Sequence, residues 1–291
     1  MRFGIFSNSN RDIGYEVAIK IANRLLSKNV APVFLNEQKC SLLDDINGVV
    51  YDDFKGCSLI ISIGGDGTLL SVISRFNELD IPFVGVNKGS IGFLSEISCD
   101  VLDEGIDKLI TKDYQILERA QLEAKVYDKN GNLKTTEICL NDAVVTRGSK
   151  LHVINMDLTI DGALVEKFFG DGLIVSTPTG STAYCLAAGG PILMPSMRNM
   201  IVTPLCSHTL NNSSYVTDYD SIIEIEMMGS ETDAIFCADG RQAINIEPFD
   251  RVCISMCNRN VKTIVLGYSS FYNTIRKKII ARGSFYESRK E

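Results

Sequence analysis

Residues 58–70 read SLIISIGGDGTLL, and this stretch decides the fold of the chain around it. A β-branched apolar run leads directly into Gly64-Gly65-Asp66-Gly67, after which Thr68-Leu69-Leu70 begins a helical pattern. Glycines let backbone N–H groups approach a ligand closely, and the N-terminus of the helix behind them favours an anion. A strand, a glycine loop and a helix in this order predict an α/β fold with a phosphate-binding loop.

The carboxylate of Asp66 stands among amides that attract phosphate, although its own charge repels phosphate. This position is explained if Asp66 accepts the proton of a hydroxyl group that attacks the phosphorus. The same residues could form an ordinary tight turn, because glycine and aspartate are common turn residues. The strand before and the helix after favour the phosphate loop, and the loop predicts a kinase. The sequence contains no G-x-x-x-x-G-K-[ST] motif and no G-x-G-x-x-G motif after its first strand, which argues against a P-loop ATPase and a Rossmann dehydrogenase.

The composition is typical of a soluble globular protein. The 291 residues are 45% hydrophobic and 22% charged, and the net charge of −7 argues against a nucleic-acid-binding surface. No apolar run approaches the roughly 20 residues that span a bilayer, and the N-terminus lacks a signal-peptide core. We therefore expect a cytoplasmic protein without a membrane partner. Nine cysteines without a C-x-x-C pair, and two histidines, predict reduced thiols and no protein zinc site.

Two kinds of pattern divide the chain. Residues 1–100 alternate short apolar runs with helical spacing, which predicts a Rossmann-like parallel α/β domain that carries the glycine loop. Residues 101–269 contain β-branched runs separated by hairpin dipeptides such as Asp239-Gly240, which predicts an antiparallel β-sandwich domain. Residues 270–291 predict a helix that returns to pack on the first domain.

Two further polar stretches are candidate ligand sites. Residues 170–186 read GDGLIVSTPTGSTAYCL, whose hydroxyl groups could bind ribose or phosphate, or could cap a strand–turn–helix junction. Asn141-Asp142 could hold a ribose or an adenine edge, or could simply begin a strand. His152 and His208 could contact a ligand or could be buried histidines.

Taken together, these stretches resemble the NAD kinase family along nearly the whole chain. GGDG alone is shared with diacylglycerol, sphingosine and phosphofructokinase families, whereas TPTGSTAY together with GFL is more restricted. The resemblance implies transfer of a phosphoryl group from ATP or polyphosphate, with a divalent metal such as Mg²⁺, to the 2′-hydroxyl of the adenosine ribose of NAD. The matching segments are GGDGTLL at 64–70, GVNKGSIGFL at 85–94, NDAVV at 141–145, GDGLIVSTPTGSTAY at 170–184 and PLCSHTL at 204–210.

The resemblance also implies roles for individual residues. Asp66 corresponds to the general base of the family, and Asn141 with Asp142 would hold the ribose and adenine of NAD. The residues implied for the donor phosphates are Gly64, Gly65, Gly67 and Thr68. The other residues implied to contact NAD are Asp66, Gly67, Phe93, His152, Asp171, Thr182, Ala183, Tyr184, Cys185, Leu186, Ala187 and Gln242. Similar proteins are homodimers or homotetramers, so the resemblance implies a homo-oligomer.

The sequence departs from the family pattern at three places. Asp142 stands where the family usually has glutamate, Lys88-Gly89-Ser90 replaces a more usual Thr-Gly pair followed by a larger polar residue, and Cys206-Ser207-His208-Thr209 replaces a Cys-Pro-His-Ser-like segment. These departures leave the substrate preference and the role of His208 open. A lipid or sugar kinase and a non-catalytic dinucleotide-binding regulator are the alternatives. The TPTGSTAY segment argues against the first, and Asp66 argues against the second.

Overall fold

The computed structural model describes residues 1–88, 92–150, 152–208, 212–229, 233–241 and 243–283. The strands are β1 (Arg2–Ser7), β2 (Ala31–Phe34), β3 (Val50–Tyr51), β4 (Leu59–Gly64), β5 (Phe83–Asn87), β6 (Ser95–Ser98), β7 (Gln115–Arg119), β8 (Leu122–Tyr127), β9 (Leu133–Cys139), β10 (Asp142–Arg147), β11 (Ile154–Ile160), β12 (Ala163–Gly170), β13 (Gly172–Ser176), β14 (Asn199–Leu205), β15 (Tyr215–Asp218), β16 (Ile223–Met228), β17 (Ala234–Ala238), β18 (Ile244–Ile246), β19 (Arg251–Met256) and β20 (Val261–Val265). The helices are α1 (Glu16–Ser27), α2 (Ser41–Asp44), α3 (Asp66–Phe76), α4 (Leu102–Thr111), α5 (Tyr184–Ala187) and α6 (Phe271–Gly283). Within these described ranges, no helix has the length and apolar character needed to cross a membrane.

The first of two compact units is an α/β structure formed by residues 1–118 and the segment that begins at Lys262. Its strands are ordered β3-β2-β1-β4-β5-β20-β7, with β6 added beside β5. Neighbouring strands from β3 to β20 run parallel. Every residue of β4 and β5 is buried, as expected for central strands of a parallel sheet covered on both faces. The predicted parallel α/β domain is confirmed.

The first unit extends beyond the boundary near residue 100 that the composition indicates. Helix α4 buries Leu102, Ile106 and Leu109 in the same apolar core as strands β1 and β4, because these residues share one helical face. Strand β20, which the sequence assigned to the β-rich half, pairs in parallel with β5, with Thr263 opposite Phe83. A short β-branched run carries no local signal of the sheet that it will join.

The second unit, Arg119–Val261, consists of two six-stranded sheets. The strand orders are β15-β14-β13-β10-β17-β18 and β12-β11-β16-β19-β8-β9, and the pairs are antiparallel. Buried and partly buried residues alternate along β8, and the inward side chains of both sheets form one core. This arrangement confirms the predicted antiparallel β-sandwich.

Candidate functional site

Asp66 is the first residue of α3 and directly follows the glycines at the end of β4. A Cβ at Gly64 would overlap the side chain of Thr68, so the close approach of strand and helix requires glycine there. The N–H groups of Thr68 and Leu69 donate to the Gly65 carbonyl, whereas those of Asp66 and Gly67 have no acceptor within the helix. Together with the glycine backbone they form a surface suited to an anion such as phosphate.

Three donors from the segment after β5 hold the Asp66 carboxylate. The backbone N–H of Phe93 donates to Oδ2 over 2.7 Å, and the backbone N–H of Leu94 donates to Oδ1 over 3.3 Å. The hydroxyl of Ser95 donates to Oδ1 over 2.8 Å. A Cβ at Gly92 would overlap the same carboxylate, so the backbone of this segment lies against it. The Asp66 side chain is therefore fixed in one position by residues 92–95.

A cavity of about 510 Å³ opens where the parallel strands β1, β4 and β5 end. Ligands of open parallel sheets bind at this edge. The glycine loop contributes Gly64, Gly65 and Asp66 to its wall. The other lining residues are Arg11 and Ile13 after β1, Asn87 and Lys88 after β5, and Lys278 from α6.

Three cationic side chains give this cavity a positive character. Lys88 Nζ lies 3.1 Å from Glu16 and 3.4 Å from Asp12, and the hydrogen bond to Glu16 raises the pKa of Lys88. In the part of the chain that the structure describes, Arg11 and Lys278 make no ion pair; Lys278 Nζ instead lies 6.0 Å from the centre of the Phe93 ring. Two cations are therefore available to an anionic ligand.

The structure separates the four residues predicted to contact donor phosphates. Gly67 and Thr68 line another cavity together with Ser7 and Asn8, whereas Gly64 and Gly65 line the cavity that contains Asp66. The Thr68 hydroxyl accepts a hydrogen bond from the Asn8 amide over 3.1 Å.

A second cavity, of about 410 Å³, lies in the second unit at the start of β10. It brings together four of the residues predicted to contact NAD, which are Asn141, Asp142, Ala183 and Tyr184. Tyr184 is 47% exposed, so its side chain is accessible to a ligand as a stacking surface. The remaining wall is formed by Val144, Thr146, Cys237, Asp239 and Gly240.

The hydroxyl groups of residues 176–182 are used inside the protein. The hydroxyls of Ser176 and Thr177 donate to the backbone carbonyls of Asn141 and Leu140, over 3.1 and 2.6 Å. The Thr182 hydroxyl is buried and donates to the carbonyl three residues before it, over 3.2 Å. These hydroxyls therefore bind within the strand–turn–helix junction and support Asn141, as the non-ligand interpretation expected. The expected capping is not found, because neither residues 180–182 nor α5 has a side-chain N-cap.

Other predicted NAD contacts lie outside this cavity. The Cys185 thiol is fully buried in an apolar cluster with Val144, Ile174 and Ile201, so a contact through its side chain is excluded. The Asp171 carboxylate accepts a hydrogen bond from Arg147 over 2.9 Å.

Four residues among the sequence candidates show no binding geometry. His152 and Ala187 are exposed, and Leu186 is partly buried. The exposed His208 ring packs edge-on against Phe169, with 5.8 Å between the ring centres. Gln242 lies outside the described residues.

Asp239 is a residue of this cavity that the sequence analysis missed. Its Oδ2 accepts the backbone N–H of Leu140 over 2.8 Å, and its Oδ1 accepts those of Asn141 and Asp142 over 2.7 and 3.1 Å. Burial and the charge of Asp239 raise the pKa of Asp142 to about 7. Burial also raises the pKa of Asp239, whereas its three N–H donors lower it. The Asp239-Gly240 dipeptide, which indicates a hairpin turn, was the sequence signal available for this residue.

Gly92 and Ser95 were also missed as site residues. Gly92 belongs to the GFL motif at 92–94, and Ser95 directly follows it, so the motif was the available signal for this segment. No group of three or more histidine, cysteine, aspartate or glutamate side chains that could hold a metal ion occurs in the described ranges.

Family models and curated relatives match both units. Residues 3–114 match the model described as the ATP-NAD kinase N-terminal domain, and residues 140–266 match that of the ATP-NAD kinase C-terminal domain. The chain is 33% identical over 284 residues to the NAD kinase of Lachnoclostridium phytofermentans, covering 95% of this chain and 98% of the relative. The fold and its matches define a phosphotransferase that acts on an alcohol group. More narrowly, the chain belongs to the NAD kinase family.

Two solved structures share the fold. The yeast NADH kinase complexed with NADH superimposes with a TM-score of 0.85 at 23% identity, covering 95% of this chain and 85% of that one. An NAD kinase from Archaeoglobus fulgidus in complex with ATP gives a TM-score of 0.74 at 21% identity, covering 96% and 98%. At these identities the likeness establishes the fold alone.

Proposed function

We propose that the chain transfers a phosphoryl group from ATP, or from polyphosphate, to the 2′-hydroxyl of the adenosine ribose of NAD and so forms NADP. The observation that carries the proposal is the Asp66 carboxylate, which three donors fix beside the phosphate loop. The ligands named for the two structural neighbours, NADH and ATP, support the same pair of substrate classes. Family membership argues against the lipid kinase, sugar kinase and regulator alternatives.

In the proposed reaction, Asp66 accepts the proton of the 2′-hydroxyl as its oxygen attacks the terminal phosphorus of the donor. The new O–P bond forms in line with the bond that breaks, and the leaving phosphate oxygen departs with the remaining donor. Backbone N–H groups of the glycine loop, together with Arg11 and Lys278, hold the donor phosphates. Asn141 and Asp142 hold the adenosine of NAD, with the Tyr184 ring as a stacking surface.

Mg²⁺ fits this site as a companion of the donor. It is commonly bound through substrate phosphates and water with few protein ligands, and it would offset the charge that develops on the transferred group. Among the described residues, Oδ1 of Asp66 accepts two hydrogen bonds and Oδ2 accepts one, so Oδ2 keeps a lone pair that can take the proton of the 2′-hydroxyl. By analogy with the family, we also propose that the protein is cytoplasmic and forms a homodimer or homotetramer. Sedimentation velocity would test the oligomeric state.

Purified protein should form NADP from NAD only when a phosphate donor and Mg²⁺ are present. An NADP-specific dehydrogenase would measure the product, because it reads the 2′-phosphate. ATP and polyphosphate are supplied as donors in parallel reactions. Chelation of Mg²⁺ by EDTA should abolish NADP formation. ATP hydrolysis without NADP formation, or phosphorylation of diacylglycerol or fructose 6-phosphate but not of NAD, would overturn the proposal.

Lys278→Ala should raise the KM for ATP by about three- to tenfold, because one cation of the donor cavity is lost, and should leave the KM for NAD nearly unchanged. Arg11→Ala should act in the same way. Lys277→Ala is the matched control, since this neighbouring lysine of α6 is exposed and does not line the cavity. Equal KM values for ATP in Lys278→Ala and Lys277→Ala would remove Lys278 from the donor site.

A further inference from the structure

The Asp239 carboxylate makes contacts that the proposed reaction does not use. It accepts the backbone N–H groups of three consecutive residues, from Leu140 to Asp142, over 2.8, 2.7 and 3.1 Å. In return, the backbone N–H of Asp239 donates to the carbonyl of Asp142 over 2.9 Å. Asp239 and Asp142 are thus joined by two hydrogen bonds of opposite direction. Hydrogen bonds to a charged acceptor are stronger than neutral ones, so this side chain fixes the backbone that presents Asn141 and Asp142.

The same contacts decide which of the two carboxyl groups carries the proton. Where water is largely excluded, keeping two neighbouring carboxyl groups ionised at the same time is unfavourable in free energy, so one of them retains its proton. Three N–H donors favour the charged form of Asp239, whereas Asp142 is 5% exposed and faces the negative charge of Asp239. Asp142 is therefore the group that keeps its proton, with a pKa raised to about 7 by burial and by that charge.

The other titratable groups around Asp142 do not alter this assignment. Burial raises the pKa of each of them, so they are neutral in the range where Asp142 titrates. They are Tyr184, Cys139, Cys185 and Cys237. Arg241 is the cation that faces Asp239, and its charge favours the ionised form of that residue. Arg241 itself donates to the backbone carbonyls of Ala238 and Ile138, over 3.1 and 2.6 Å.

We propose that Asp239 is the positioning residue of the NAD site, because it fixes the backbone of Asn141 and Asp142. Its charge also keeps the Asp142 side chain protonated, so that Asp142 donates a hydrogen bond to the adenosine of NAD. The inference rests on the proposed function, because it assigns this cavity to NAD. A neutral Asp142 donates to a ribose oxygen or a ring nitrogen and adds no negative charge next to a ligand that already carries a charged pyrophosphate. Ionisation of Asp142 therefore weakens binding of NAD.

The pH dependence of the dissociation constant for NAD tests the proposal. In the wild-type protein, the dissociation constant should rise about fivefold between about pH 6 and pH 8, with a midpoint near the pKa of Asp142. Asp239→Asn should raise the dissociation constant about tenfold at neutral pH, because three N–H groups lose a charged acceptor. The same change should move the midpoint to lower pH, because the neighbouring charge is gone. At saturating NAD, kcat should fall by less than about threefold.

Two comparison variants separate positioning from a general loss of stability. Asp239→Glu keeps the charge, so it should keep the wild-type midpoint even if NAD binds more weakly. Asp161→Asn is the matched control, because Asp161 also begins an Asp-Gly turn and accepts the backbone N–H of Ile222 over 2.8 Å, but lies on another hairpin of the same unit. It should leave both the dissociation constant and the midpoint unchanged. An unshifted midpoint in Asp239→Asn would overturn the proposal.

An infrared titration of the full chain tests the same idea even if Asp239→Asn does not fold. The difference between wild-type protein and Asp142→Asn isolates the carbonyl band of a protonated Asp142. This band should persist to about pH 7. Its disappearance near the pH of an ordinary aspartate, about 4, would overturn the assignment. Neither calorimetric binding nor infrared titration requires turnover, so failure of NADP formation alone would count against the proposed function and not against this inference.

Discussion

Replacing Asp66 with asparagine should lower the kcat for NADP formation by about 10²- to 10⁴-fold, the usual effect of removing a general base. Asparagine has nearly the shape of aspartate and keeps one acceptor for the donors of residues 93–95, but it cannot take the proton of the 2′-hydroxyl. The dissociation constant for NAD should change by less than about threefold, because Asn141 and Asp142, which we propose to hold the adenosine, lie in the second unit. Steady-state kinetics and calorimetry measure the two quantities separately.

Asp103→Asn is the matched control for this experiment. Asp103 also lies in the first turn of a helix of the first unit, but it is exposed and does not line the donor cavity. The control should retain wild-type turnover and NAD binding. If Asp66→Asn turned over at the wild-type rate, Asp66 would not be the base, and the proposed mechanism would fail with it.

Gly92→Ala should lower kcat by about 100-fold, although Gly92 contributes no side chain to the reaction. The added methyl group would overlap the Asp66 carboxylate and push it away from its three donors. A displacement of about 1 Å at a reacting group costs on the order of 10²-fold in rate. The KM for NAD should remain nearly constant, because the change displaces the carboxylate and leaves the proposed adenosine site at Asn141 and Asp142 unaltered. Ser95→Ala, which removes one donor without an overlap, should have the smaller effect of about tenfold.

Gly105→Ala controls for the tightness of packing in the same unit. A Cβ at Gly105 would lie 3.0 Å from the Ile97 side chain, a tight contact without the overlap found at Gly92, and it would not touch Asp66. This variant should keep its turnover, and thermal unfolding should show both alanine variants folded. Equal kcat values for Gly92→Ala and Gly105→Ala would mean that the position of the Asp66 carboxylate does not limit the reaction.

The features that the sequence predicted well are those encoded by neighbouring residues. The run at 59–63 corresponds to β4, because a strand buried on both faces is continuously apolar. The turn at Asp239-Gly240 has positive φ at both residues, 49° and 67°, as its composition indicates. The helix after β4 was predicted from Thr68, and it begins two residues earlier, at Asp66.

The features that could not be predicted depend on residues far apart in the chain. The N–H groups bound by Asp239 come from residues 97 to 99 positions earlier, and an Asp-Gly turn forms whether or not its carboxylate has such partners. The donors to Asp66 come from residues 27 to 29 positions later. The hydroxyls of 176–182 were ambiguous for the same reason, because a hydroxyl group has the same chemistry whether it faces a ligand or a carbonyl.

The position of β20 has a consequence for the order in which the protein is synthesised and folds. This strand lies between β5 and β7, yet the whole of the second unit separates it from them in the chain. The second unit is one continuous stretch of chain, so the ribosome synthesises all of it before β20 is available to complete the parallel sheet of the first unit. Until all of β20 (Val261–Val265) has emerged, the edges of β5 and β7 that pair with it are unpaired and can pair with another chain.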